Sequence, residues 1–276
     1  MVKRFVKVAL CQRGVTGSKE QNIAETVSMI EEAAEHCPGL DLIIFPEYNY
    51  YEALSLEEAR ANSETMDGRY ITEMKKQARR FGVNLIPGSF AETCGEKVKN
   101  TCALIDRSGE VAGSYSKVHL MDAIGIRESD AAVPGDKLGV FDTDFGRIGL
   151  MVCFDLRFPE QPRSMVLQGA DIIFCAASFP TGSPLPPRTD HWDLLVQSTA
   201  LLNLTWTCAV NQFGSICGGT ENPFGRSMVV DPWGIVTASA LGRRDIVYAT
   251  LDMQHQKEIR GRVATWNCRR PDIYTL

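Results

Sequence analysis

The sequence has little of what marks secreted, metal-binding, membrane or nucleic-acid-binding proteins. Its nine cysteines are an odd number in 276 residues and include no Cys-x-x-Cys pair. The chain is too long to need disulfide staples, so reduced thiols and a cytoplasmic setting are expected. The four histidines, at 36, 119, 191 and 255, stand too far apart for a zinc-type ligand cluster. No apolar segment approaches the length of a membrane span. Lys3 and Arg4 precede an apolar run, but Lys7 interrupts it, the run is too short for a signal peptide, and Leu10 before Cys11 is too large for a lipoprotein-type cleavage site. Neither sign of charge dominates: 29 Lys and Arg stand against 34 Asp and Glu, a formal net charge of -5. That excludes a basic nucleic-acid footprint and a polybasic membrane patch, leaving small molecules or another protein as partners. No linker, charge run, low-complexity tract or repeat divides the chain.

What is present is a 44% hydrophobic chain able to bury a large core, read as a single domain over 1–276. Strands and helices alternate. Phe5–Cys11 alternates as a first strand. Ile23, Val27, Ile30 and Ala34 mark a helix over 19–36, stopped by Pro38-Gly39, and 40–45 is a buried strand ending in Pro46-Glu47-Tyr48. A helix is predicted over 70–81. Strands over 83–91, 98–105 and 111–118 form a meander, and an irregular loop covers 122–136. Ile148–Val152 is a short apolar run that Cys153 ends, and Pro159 and Pro162 suit the first turn of a helix. Beyond lie a helix containing 165–167, a buried strand over 171–177, a Pro-rich loop over 179–188 expected to border the pocket, and a helix over 190–202. Strands follow at 206–210, 227–231, 235–239 and 246–251, then a short terminal helix.

Each candidate residue has two readings on its own. Cys153 on a strand-to-helix turn is either a small buried hydrophobe or a nucleophile presented as on a nucleophile elbow. Glu47 after a buried strand is a solvated or helix-capping acid, or a catalytic one. Lys117 at a strand end is a solvent-facing edge residue or an oxyanion-stabilising cation. A thiol, a carboxylate and an ammonium supply nucleophile, proton acceptor and oxyanion partner for attack on a carbonyl. All three could converge on one edge of an α/β sheet.

The runs Phe45-Pro-Glu47, Tyr115-Ser-Lys117-Val-His119-Leu120 and Cys153-Phe-Asp-Leu-Arg-Phe-Pro-Glu160 appear in the order of the three signatures of the nitrilase superfamily, the carbon–nitrogen hydrolases, which the chain resembles along essentially its whole length. The resemblance implies a four-layer α-β-β-α sandwich, a homodimer formed through packed helices, and an amide as small-molecule substrate. It also implies acyl transfer through a Cys153 thioester with release of ammonia, and no metal or organic cofactor. In that reading Glu47 shuttles the proton, Lys117 and the Phe154 backbone N–H hold the oxyanion, and Glu128, before Pro134-Gly135-Asp136, positions Lys117. Glu128 read alone is as well a solvated loop acid. The amidase branches resembling ω-amidase and deaminated glutathione amidase are the nearest match, so a carboxylate-bearing amide is expected. Arg157 is then a carboxylate clamp or, equally, a structural ion pair. The segment Ser178–Trp192 departs from those branches. An N-carbamoyl amino acid amidohydrolase is the alternative; a nitrilase, whose cysteine usually stands in Cys-Trp-Glu, and a non-catalytic binding subunit fit less well.

Overall fold

The chain enters the core at once. In β1 (Phe5–Gln12), Val6, Val8 and Leu10 face one apolar cluster while Ala9 and Cys11 face another, so the strand is buried on both sides. This two-residue alternation is what a strand between two layers requires. The structure is a computed structural model that describes residues 2–180, 189–214 and 222–274. Of the predicted Pro-rich loop, all but Phe179 and Pro180 lies outside the described residues.

The first half runs α1 (Lys19–His36), β2 (Leu42–Ile44), α2 (Leu56–Asn62), α3 (Arg69–Phe81), β3 (Asn84–Ile86), β4 (Ser89–Cys94), β5 (Lys97–Ile105), β6 (Val111–Ser116) and the two-residue strands β7 (Asp122–Ala123) and β8 (Ile126–Arg127). The second runs β9 (Gly139–Thr143), β10 (Gly146–Val152), α4 (Glu160–Leu167), β11 (Ile172–Ala177), α5 (Thr189–Asn203), β12 (Trp206–Asn211), β13 (Met228–Val230), β14 (Val236–Ser239), β15 (Asp245–Asp252) and α6 (Met253–Val263). One sheet has the order β15-β1-β2-β3-β5-β4, with β6 on β5; the other has the order β14-β13-β12-β11-β10-β9. The larger apolar cluster joins Val8, Leu10, Leu42 and Leu104 of the first sheet to Ile148, Leu150 and Ile172 of the second and carries on to Met165, Trp192 and Val196 of α4 and α5. A second cluster packs Ile43, Leu85 and Ala103 against Ile23, Ile30, Ile71 and Met74 of α1 and α3. The layers are therefore α-β-β-α, as expected. Each fully buried Leu or Ile in them contributes roughly 1.5–3 kcal/mol.

Three expectations change. The strand read over 83–91 is two strands, because Pro87 cannot donate to the ladder and Gly88 turns at φ 81. A Cβ on Gly88 would meet the Pro46 carbonyl oxygen at 2.0 Å, so the kink lets the strand end pass against the Pro46–Glu47 turn. The loop over 122–136 contains the β7–β8 pair and a 3₁₀ turn, Glu128–Asp130. Helix α2 was not foreseen: only its Ala59 is buried, so it has no apolar stripe to read. Among the described residues no helix is long and apolar enough to cross a membrane.

Candidate active site

Four strand ends deliver the chemistry. Glu47 follows β2, Lys117 follows β6, Cys153 follows β10 and Ser178 follows β11. The first two belong to one sheet and the last two to the other. The expected single sheet edge is thus corrected to a cleft between the ends of two facing sheets. One short segment per strand is enough to bring in each group.

Lys117 Nζ lies 3.0 Å from Glu47 Oε1 and 2.8 Å from Glu128 Oε2. Asn100, in the middle of β5, donates through Nδ2 to Glu47 Oε1 at 2.8 Å and to Glu128 Oε1 at 3.2 Å. The Ser178 backbone N–H holds Glu47 Oε2 at 2.8 Å, and Met121 N–H holds Glu128 Oε2 at 2.7 Å. Tyr48 OH reaches Glu128 Oε1 at 3.3 Å. Burial alone would pull Lys117 down, but the two carboxylates outweigh it and hold the ammonium well above its ordinary value. Burial likewise pushes against ionised Glu128, and the Lys117 charge with its hydrogen bonds wins, leaving Glu128 below the usual carboxylate range.

Cys153 has φ 46, a left-handed backbone that a non-glycine residue rarely adopts. Such strain is held only where the surroundings over-determine it, here between the β10 ladder and the 3₁₀ turn Cys153–Arg157. Asp155 pins that turn: its carboxylate accepts from Val152 N–H at 2.8 Å, Tyr115 OH at 2.6 Å and His119 N–H at 3.1 Å, tying the cysteine turn to the strand that carries Lys117. Burial pushes the Cys153 thiol well above its ordinary value, Glu47 adds to this by charge and by a hydrogen bond, and Lys117 opposes it. A neutral thiol beside a carboxylate needs that carboxylate to take its proton as it attacks.

Cys153 is 6% exposed, but that exposure opens into a cavity of about 580 Å³ lined also by Glu47, Lys117, Glu128, Phe154, Arg157 and Ser178. All six sequence candidates therefore reach one pocket. Arg157 makes no ion pair among the described residues; its guanidinium lies over the Phe179 ring at 5.6 Å. The structural ion-pair reading therefore has no partner among the described residues. Sequence reasoning missed Asn100, Tyr48, Glu52, Asp155 and Gln212. Asn100 stands between Lys99 and Thr101 in β5 and has no polar signal of its own; all five depend on contacts with segments distant in sequence. Among the described residues no His, Cys, Asp and Glu group could hold a metal ion.

The family model for carbon-nitrogen hydrolases matches residues 7–260. Deaminated glutathione amidase of Bos taurus is 33% identical, covering 97% of this chain and 83% of that protein. The 2-oxoglutaramate amidase of Bacillus subtilis is 31% identical over 94% of this chain and 95% of that protein. The crystal structure of a carbon-nitrogen hydrolase from Helicobacter pylori superposes with a TM-score of 0.86 at 28% identity, covering 98% of this chain and 97% of that one.

Proposed function

Since this chain belongs to the carbon-nitrogen hydrolase family and is an amidase acting on non-peptide C–N bonds, we propose that it hydrolyses a small, carboxylate-bearing amide through a thioester on Cys153. The observation that carries the reading is Lys117 clamped between Glu47 and Glu128 beside a thiol that opens into the pocket.

In the proposed reaction Glu47 accepts the Cys153 proton as sulfur adds to the amide carbon, forming the C–S bond. The oxyanion is met by the Lys117 ammonium and the Phe154 N–H, each such donor being worth about 3 kcal/mol in the transition state. Glu47 returns the proton to nitrogen, the C–N bond breaks, and ammonia leaves. Glu47 then takes a proton from water, which attacks the thioester, and the acid departs as the thiol is restored. Glu128 keeps Lys117 charged and aimed. Arg157, without an ion pair among the described residues, supports a carboxylate on the substrate. The names of the bovine and Bacillus relatives, an amidase for deaminated glutathione and one for 2-oxoglutaramate, point the same way.

A mass-spectrometric screen of small amides, carbamoyl amino acids and nitriles tests this. The expected result is an acyl adduct on Cys153 with an amide, ammonia released without carbon dioxide, and no turnover by Cys153→Ala with its fold retained. Full turnover by that variant removes the enzyme reading, and carbon dioxide released with the ammonia moves it to a carbamoylase. The proposal takes the chain as one catalytic domain working in the cytoplasm and as a homodimer.

A further inference from the structure

Glu52 lines the pocket without a part in that chemistry. Glu52 sits on the loop after Glu47, and its Oε2 accepts two hydrogen bonds, from Ser178 Oγ at 3.0 Å and Gln212 Nε2 at 2.6 Å. Both partners also serve Glu47: the Ser178 N–H holds its carboxylate and Gln212 Nε2 bonds its backbone carbonyl at 2.8 Å. Glu52 is therefore fixed in orientation by the same two residues that fix the catalytic acid. With Oε2 occupied by donors, a proton on Glu52 must reside on Oε1, and Oε1 has no hydrogen-bond partner among the described residues. Burial and then the Glu47 charge push the Glu52 carboxyl well above its usual value, while Ser178, Gln212 and Lys117 oppose them. Arg157 lines the same pocket, with its guanidinium over the ring of Phe179, the residue next to the Ser178 that Glu52 bonds. Among the described residues the pocket thus contains a cation without an ion pair and a carboxyl with one oxygen free of hydrogen bonds, each in contact with one of two consecutive residues.

We propose that Glu52, as a neutral carboxylic acid, donates a hydrogen bond from Oε1 to the substrate carboxylate drawn in by Arg157, so that these two side chains form the carboxylate subsite. This rests on the amidase reading above and names how its substrate is selected. Were Glu52 ionised, it would repel the group that Arg157 attracts. A second donor turns a single charge contact into a two-point grip that sets the distance between carboxylate and scissile carbon. The groups acting on Glu52 are Glu47 and Lys117 from the first sheet and Ser178 and Gln212 from the second, and Arg157 lines the same pocket. Burial and the Glu47 charge favour the neutral acid, which is lost as pH rises through the raised value, so selectivity for a carboxylate falls on the alkaline side.

The test compares kcat/KM for a carboxylate-bearing amide and its matched methyl ester, whose end is neutral, in the wild type, Glu52→Gln and Glu52→Ala. Glutamine reproduces the neutral acid: its carbonyl accepts from Ser178 and Gln212, and its NH₂ faces the pocket. The expected ratio of carboxylate to ester is kept within roughly threefold by Glu52→Gln and falls by roughly tenfold or more in Glu52→Ala, mostly through KM, as a charge-assisted hydrogen bond implies. Raising the pH above neutrality lowers the ratio in the wild type and leaves it flat in Glu52→Gln. An unchanged ratio in Glu52→Ala, an equal loss in both variants, or the same pH slope in wild type and Glu52→Gln overturns the proposal. Because the ester reports hydrolysis without the carboxylate, loss of this selectivity is distinct from failure of the amidase reading, which would show as no Cys153 adduct with either compound. Circular dichroism and Cys153 alkylation confirm that each variant is folded with its site formed.

Discussion

At the scale of single residues, Lys117 is the group on which the site's charge balance rests. It is 3% exposed and has carboxylates within 3.0 Å on two sides. Lys117→Met leaves Glu47 and Glu128 sharing Asn100 with no cation between them. Breaking a buried pair by removing one partner costs roughly 3–5 kcal/mol. We expect that loss in urea denaturation at neutral pH, with kcat lowered on the order of 100-fold or more from the missing oxyanion partner. The pH dependence separates this from simple loss of packing. In the wild type the lowered value of Glu128 gives stability that is present above the ordinary carboxylate value, about 4.3, and is lost as pH falls through the lowered one. In Lys117→Met the cation that outweighs the burial of Glu128 is gone, so acidification relieves the repulsion and narrows the gap to the wild type. A constant gap across the acid range would refute the charge account. Lys117, Glu47 and Cys153 were legible in the sequence because each follows a strand within a short signature. Asn100 and Glu52 were not: what makes them matter is a contact across 28 to 160 positions, such as Asn100 with Glu128 and Glu52 with Gln212.

Elements were legible where a periodic apolar pattern ran long enough, as in α1, α3, β1 and β10, and illegible where length or burial was small. The break between β3 and β4 shows the limit. Apolar residues continue through Ile86-Pro87-Gly88-Ser89-Phe90, so the pattern reads as one strand, while the steric reason for two is the Pro46 carbonyl from another strand end. Since Pro46 immediately precedes Glu47, this close approach also sets where the catalytic acid stands. Gly88→Ala places a Cβ 2.0 Å from that oxygen at φ 81, so we expect destabilisation of more than about 2 kcal/mol and a marked fall in kcat as Glu47 shifts. Gly82→Ala is the control. Gly82 caps α3 at φ 58 with open space around its Cβ position, so it should lose only about 1–2 kcal/mol and keep kcat. Equal effects of the two on kcat would show that the Gly88 contact does not position Glu47.

At the scale of the molecule, the layers account for most of the apolar surface but not all. Leu194, Leu201 and Leu202 on the outer side of α5 and Trp233 and Ile235 at the β13–β14 turn stand between 45% and 61% exposed. They form one surface, because Gln197 donates to the Gly234 carbonyl oxygen at 3.0 Å and Leu201 packs against Gly234. A monomer seldom leaves a large contiguous apolar patch rimmed by polar groups, and α5 is one of the two helices that cover the second sheet. Packing α5 of one copy on α5 of another would bury this patch about a two-fold axis and stack two sandwiches into one larger assembly. Light scattering coupled to size exclusion should therefore give twice the chain mass for the wild type and the chain mass for a Leu201→Glu, Trp233→Glu double variant. Because α5 leads toward the Ser178 and Phe179 side of the pocket, the separated variant should also show a raised KM with its Cys153 still reactive to alkylation. A wild type that runs as a monomer at micromolar concentration would end the dimer proposal, and a double variant that stays dimeric would move the interface elsewhere on the surface.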